Sequence, residues 1–145
     1  MPTSALAQPA SSEREDVETV ATSDPEMNAA IATAKKTLPE FLAVLAEPPH
    51  GAGNISFKFP LGGWEHIWVY DVQREGDYLT GLLSNVPMQE AWSQDDPVRV
   101  PLKDVSDWAW MGSDGVMRGH YTTRVLLDRI DPQRARIIAQ SMGWQ

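Results

Sequence analysis

The sequence predicts an α+β domain: N-terminal helices packed on a curved antiparallel sheet or partial barrel of five to six strands, then a C-terminal helical segment. Three observations carry this. Apolar residues recur at helical spacing between Met27 and Leu45, and the period changes to two from Asn54 onward. No strand–helix–strand alternation or internal repeat follows. The chain of 145 residues fits one domain able to bury its own core.

Residues 1–23 are rich in Ala, Ser, Thr, Pro and Glu without periodicity, and read as a disordered tail or the remnant of an export signal. Residues 24–145 read as the single domain. Asp24-Pro25 is an N-cap followed by proline at the first helical position, and Met27, Ala30, Ile31, Ala34 and Leu38 form the stripe that follows. Pro39 is expected to break or kink this helix, leaving a second short piece marked by Leu38, Phe41, Leu42 and Leu45. Glu47-Pro48-Pro49-His50-Gly51 ends it.

Ile55, Phe57 and Phe59 alternate with Asn54, Ser56 and Lys58 in a half-buried strand. Leu61-Gly62-Gly63 turns into a second strand, 64–72, and Arg74-Glu75-Gly76-Asp77 turns into a third, 78–85, where Gly81 marks a bulge or close approach. Pro87 to Trp92 is expected to form a helical turn. Strands near 98–100 and 104–111 follow, and Ser113-Asp114-Gly115 makes a hairpin turn into 116–119. Thr122 is placed to cap a helical pattern, Asp131-Pro132 starts a new helix over 133–142, and Gly143 stands at its C′ position.

Charge is unevenly placed. The chain carries a formal net charge of −8, yet residues 13–26 hold six acids (Glu13, Glu15, Asp16, Glu18, Asp24, Glu26) against Arg14 alone, a net of −5. Such a surface argues against duplex nucleic acid, whose binding depends on neutralising phosphates. Near the C-terminus Arg118, Arg124, Arg129, Arg134 and Arg136 outnumber Asp128 and Asp131, which reads as a solvated helix face. With no cysteine, disulfides, thiol catalysis and Cys-based metal sites are excluded. No apolar run reaches the length of a membrane span, so no membrane insertion is expected. Ala5-Leu6-Ala7 has the small-x-small form of a signal-peptidase site but lacks the preceding basic and apolar regions. The expected location is periplasmic or secreted if that motif is genuine, and cytoplasmic otherwise.

The run Gly63-Trp64-Glu65-His66-Ile67-Trp68-Val69-Tyr70 mixes aromatic and ionisable groups, as do Ser106-Asp107-Trp108-Ala109-Trp110 and Gly119-His120-Tyr121-Thr122-Thr123-Arg124. Alternation puts Trp64, His66, Trp68 and Tyr70 on one face, opposite Glu65 and Ile67. Glu65 and His66 therefore make a poor catalytic dyad, and a general-base His66 needs an acid such as Asp107 from another strand. If strand 104–111 neighbours strand 64–72, then Trp64, Trp68, Trp108 and Trp110 form one cluster with His66. That cluster is either core or a groove for a partner, and Asp107 with Arg124 is either part of it or a buried ion pair. His50, His66 and His120 lack a metal-ligand spacing, and no serine sits in a nucleophile elbow. The glycine pairs lack the rest of a phosphate-binding pattern, so neither a metal nor a cofactor is expected.

Ala34-Lys35-x-Thr37-Leu38-Pro39-Glu40-Phe41, Glu65-His66-Ile67-Trp68-Val69, Val98-x-Val100-Pro101, Ser106-Asp107-Trp108 and Gly119-x-Tyr121-Thr122-x-Arg124 occur in that order. Together they resemble the bacterial family called domain of unknown function 2314, whose small members include YegJ-type proteins. The resemblance spans roughly residues 27–130 and implies no established activity. Where the family pattern has Gly-Gly-Tyr-Thr, this chain has Gly119-His120-Tyr121-Thr122, a departure at the second glycine.

The resulting expectation is a non-catalytic module, monomeric or weakly oligomeric, that binds a protein or peptide. The binding face would hold Trp64, His66, Trp68, Asp107, Trp108, Trp110, Tyr121 and Arg124. The alternatives are a small hydrolase using His66 with Asp107 or Glu65, and an inhibitor or immunity-type partner of an exported toxin.

Overall fold

A computed structural model describes residues 24–144. The tail and the Ala5-Leu6-Ala7 motif lie outside the described residues. Helix α1 spans Pro25–Ala46, with Asp24 Oδ1 accepting the Met27 N–H at 3.1 Å and Pro25 in the first turn. The expected break at Pro39 does not occur; the helix runs through it. A proline inside a helix removes one backbone bond and costs about 3 kcal/mol relative to alanine. Pro39 is exposed, whereas Leu38 and Phe41 beside it are buried in the core, and their packing holds the turn together.

Six strands follow among the described residues: β1 Gly53–Leu61, β2 Glu65–Glu75, β3 Tyr78–Leu83, β4 Pro97–Pro101, β5 Asp107–Met111 and β6 Met117–Gly119. They form one open sheet in the order β4-β3-β2-β1-β5-β6, every neighbouring pair antiparallel. The first four strands meander. The chain then returns through a 3₁₀ turn, Leu102–Asp104, to lay β5 on the far side of β1. That turn takes the start of the strand expected near 104–111. Pro87 to Trp92 forms bends and turns rather than a helical turn, with the Trp92 N–H on the Gln89 carbonyl at 3.1 Å. The bulge expected at Gly81 lies opposite it, between Tyr70 and Gln73, and a Cβ on Gly81 would stand 2.5 Å from the Tyr70 carbonyl oxygen.

Register divides the sheet. Phe57 of β1 is paired with Val69 on one side and Trp108 on the other, while the next residue, Lys58, is paired with Trp68 and Asp107. Directly paired residues share a face. Phe57, Val69 and Trp108 therefore face α1, joining Ala34, Leu38, Phe41, Phe59, Ile67, Leu79 and Val100 in the core. Lys58, Trp68 and Asp107 face the other way.

Helices α2 (Tyr121–Leu127) and α3 (Pro132–Ser141) close the chain. Asp131 caps α3 by accepting the Arg134 N–H at 3.1 Å, and Gly143 follows it at φ +79°, as its C′ position predicts. The Met117 N–H donates to the Met142 carbonyl at 2.8 Å and the Trp144 indole N–H to the Met117 carbonyl at 3.0 Å. These bonds cover the outer edge of β6. The opposite edge strand, β4, is bracketed by Pro97 and Pro101, which offer no N–H to an incoming strand.

Candidate functional site

The face of the sheet away from α1 is built around a buried carboxylate. Asp107 is fully buried, and its oxygens accept four hydrogen bonds: the Trp108 N–H at 2.9 Å, the Tyr121 N–H at 3.1 Å, and the Thr122 N–H and hydroxyl at 2.8 and 2.6 Å. Asp107 thus satisfies the first turn of α2 from a neighbouring strand. Thr122, expected as the cap, is instead buried inside the helix. The residue before the helix is His120, at φ +55°. That left-handed conformation favours glycine, which accounts for the glycine expected at this position. Close backbone approach falls on Gly119, where a Cβ would stand 2.1 Å from the Trp108 carbonyl oxygen.

Lys58 lies beside this carboxylate and is itself buried. Its ammonium donates to the Thr122 hydroxyl at 2.9 Å and stands 5.6 Å from the Trp68 ring centroid. Burial pushes the Lys58 pKa down, with Asp107 opposing. Trp68 packs on His120 at 4.6 Å, His120 meets the edge of Trp144 at 6.1 Å, and the Arg124 guanidinium lies 3.9 Å from the Trp144 ring. Burial lowers His120 to about 4, against Asp107 and reinforced by Lys58 and Arg124. Burial also lowers His66 to about 4, with Lys58 and Lys35 adding to it. Both imidazoles are neutral at neutral pH.

Over this floor lies a groove of about 550 Å³. Trp68, Tyr70, Ile55, Met111, Met117 and Met142 supply its apolar lining; Asn54, Ser56, Ser84, His120, Thr123 and Ser141 supply polar groups. No Asp, Glu, Lys or Arg lines it. Its thioethers are adaptable, and Tyr70 is 39% exposed.

The residues expected to act together are only partly brought together. Strand β1 separates β2 from β5, so Trp108 and Trp110 do not join Trp64, His66 and Trp68. Trp108 stacks on Phe41 at 5.7 Å, and its indole N–H reaches the Ala34 carbonyl at 3.2 Å and the Thr37 hydroxyl at 3.1 Å. Trp110 sits partly buried against the core under the Arg118 guanidinium, and Trp64 is buried beside the β1–β2 turn. Tyr121 sets its ring edge-on to Trp108 at 5.7 Å. Arg124 donates to the Gly119 carbonyl at 3.1 Å instead of pairing with Asp107. Glu65 accepts from the Met88 N–H and the Gln89 amide, fastening the loop after β3.

His66 contacts Ser106 at 3.0 Å through Nδ1, and the Ser106 hydroxyl donates to the Lys58 carbonyl at 3.3 Å. Ser106 is buried, and the groove touches neither residue. Among the described residues no three His, Asp or Glu side chains converge as a metal would require. No helix among them is long and apolar enough to cross a membrane.

Lys58, Ser106 and the three groove methionines were not expected as site residues. A lysine in a strand alternation ordinarily marks the solvent side, and only the later closing of α2 over that face buries it.

Fold and site together define an α+β domain with an uncharged groove on the sheet face turned away from its long helix. The chain belongs to the family described as an uncharacterized protein conserved in bacteria, DUF2314, whose profile it matches over residues 24–145. It is also similar to a putative ankyrin repeat protein of Neisseria meningitidis serogroup B, with 33% identity over 63 residues. That match covers 43% of this chain and 24% of the relative, so the chain aligns with about a quarter of that protein. No solved structure matches it.

Proposed function

We propose that this domain is a non-catalytic binding module that takes an extended, uncharged, apolar segment of a partner protein into the sheet groove. The observation that carries the reading is the lining itself. An aromatic and methionine surface with scattered hydroxyls and no ionised side chain favours apolar groups flanked by backbone hydrogen-bonding partners, and penalises a buried charge. The Lys58–Thr122–Asp107 network beneath supports the same reading, because it fixes α2 and hence His120 and Thr123 at the rim. The relative named for ankyrin repeats is consistent with a modular use of such a domain, since repeat arrays present binding surfaces.

The test is a nuclear magnetic resonance titration with synthetic peptides of matched length: one of Leu, Met, Phe, Ser and Gly, one with added Glu, one with added Lys. The reading expects the neutral peptide to shift the methyl signals of Met111, Met117 and Met142 and the Trp68 indole, with both charged peptides weaker. Ser84→Arg, which places a cation in the groove, should abolish those shifts while the Trp108 indole signal stays in place. Equal responses to all three peptides, or none, would overturn the reading.

A further inference from the structure

Three of the chain's six methionines, Met111, Met117 and Met142, line the sheet groove. The backbone brings them together. Met111 and Met117 are paired directly across β5 and β6, so they share one face with Cβ atoms about 4.5–5.5 Å apart. The Met117 N–H donates to the Met142 carbonyl at 2.8 Å, which fixes the end of α3 at the same place. The Asn54 amide reaches Met111 Sδ at 3.9 Å and orients that thioether from the groove wall.

His120, just after β6, lines the same groove. Its Nδ1 meets the Thr123 hydroxyl at 2.8 Å, and its Nε2 holds no hydrogen bond among the described residues. The Trp68 ring packs on this imidazole at 4.6 Å between centroids, and an indole face attracts a cation.

The donors select the class of ion. Thioether sulfurs are soft and neutral and favour copper(I), and imidazole suits copper as well. Carboxylates, which hard divalent ions require, are absent from the lining. Lys58 and Arg124 act on His120 against Asp107, a balance that disfavours a double positive charge there. A lining that penalises a carboxylate or an ammonium still accepts a soft ion, because sulfur and nitrogen ligands replace the water it sheds.

We propose that Met111, Met117, Met142 and His120 bind a soft monovalent cation of the copper(I) class, through three thioether sulfurs and the imidazole Nε2, beside the Trp68 ring. An ion on Nε2 places the ring proton on Nδ1, where the Thr123 hydroxyl accepts it and holds the ring. The inference is independent of whether the groove also takes a peptide.

Silver(I), as soft as copper(I) but without its redox chemistry, is the probe, added as the metal alone in chloride-free buffer. Nuclear magnetic resonance follows the methionine methyls. Binding predicts saturation at one equivalent, with shifts at Met111, Met117 and Met142. Met27 in α1 and exposed Met88 should stay in place, and zinc(II) should move none of the five. Met111→Leu/Met117→Leu/Met142→Leu keeps the volume and apolarity of the groove, and should lose the saturable response at the His120 ring signals. Thr123→Val should weaken silver affinity by about 10–100-fold. His120→Gly, suited to the backbone at φ +55°, should weaken it further and remains informative if the leucine variant fails to fold. The leucine variant should still answer the neutral peptide at the Trp68 indole, so failure of the metal site and failure of the peptide reading register separately. Shifts spread equally over all five methyls, no saturation at one equivalent, or saturation unchanged in the leucine or glycine variant would overturn the proposal.

Discussion

Trp68 and Trp108 flank the same strand yet do opposite work. They pair with neighbouring residues of β1, Lys58 and Phe57, and so fall on opposite faces. Trp108 is sealed under α1, stacked on Phe41, its indole N–H bonded to the helix backbone. Trp68 is half-buried, held between His120 and the Lys58 ammonium, with the rest of its ring lining a groove. The α1 face is buried and apolar and holds the fold. The other face is polar beneath and uncharged above, an arrangement that positions a surface. Alike in sequence context, the two tryptophans are separated by the register in which each pairs with β1.

The comparison can be broken most sharply beneath each ring. Trp108→Ala should destabilise the domain by about 3–5 kcal/mol, the range for a buried aromatic. Asp107→Ala should cost a similar amount, since it orphans three backbone N–H groups at about 1–3 kcal/mol each. Urea unfolding would check both, and a loss below about 1 kcal/mol for Trp108→Ala would deny that this face carries the core.

A pH dependence should come next in size. His66 and His120 titrate at about 4 in the fold against the ordinary 6.5, so between those values the unfolded chain binds more protons. Stability should therefore fall as pH drops from about 6.5 toward about 4, by on the order of 1–3 kcal/mol per histidine. In His66→Gln/His120→Asn that part of the fall should vanish. Parallel curves for the two proteins, measured by chemical unfolding across the window, would count against buried neutral imidazoles on this face.

Pro39→Ala is the substitution expected to stabilise, by up to about 3 kcal/mol, because it restores a donor to the Lys35 carbonyl at an exposed position. A loss of thermal stability would mean that the proline has a packing role in α1.

The elements were legible because their signals are local. Alternation at Phe57 and Phe59, the glycine turn at 62–63, the Asp24-Pro25 and Asp131-Pro132 starts and Gly143 all read directly. Pro39 misled, since its penalty is local while the burial of Leu38 and Phe41 is tertiary. The site was half legible for the same reason. His66, Trp68 and Asp107 do share the groove side of the sheet, but nothing in a sequence says that β5 pairs with β1 rather than β2. Asp107 capping a helix that begins fourteen residues later, and Lys58 buried by that helix, are consequences of the same pairing.

The most direct test measures stability and peptide response together on Trp68→Ala. The account predicts a stability loss of at most about 2 kcal/mol, set by the buried part of the ring, with the neutral-peptide shifts at Met111, Met117 and Met142 abolished. A loss as large as that of Trp108→Ala, or an undiminished peptide response in a folded variant, would contradict the division between the two faces.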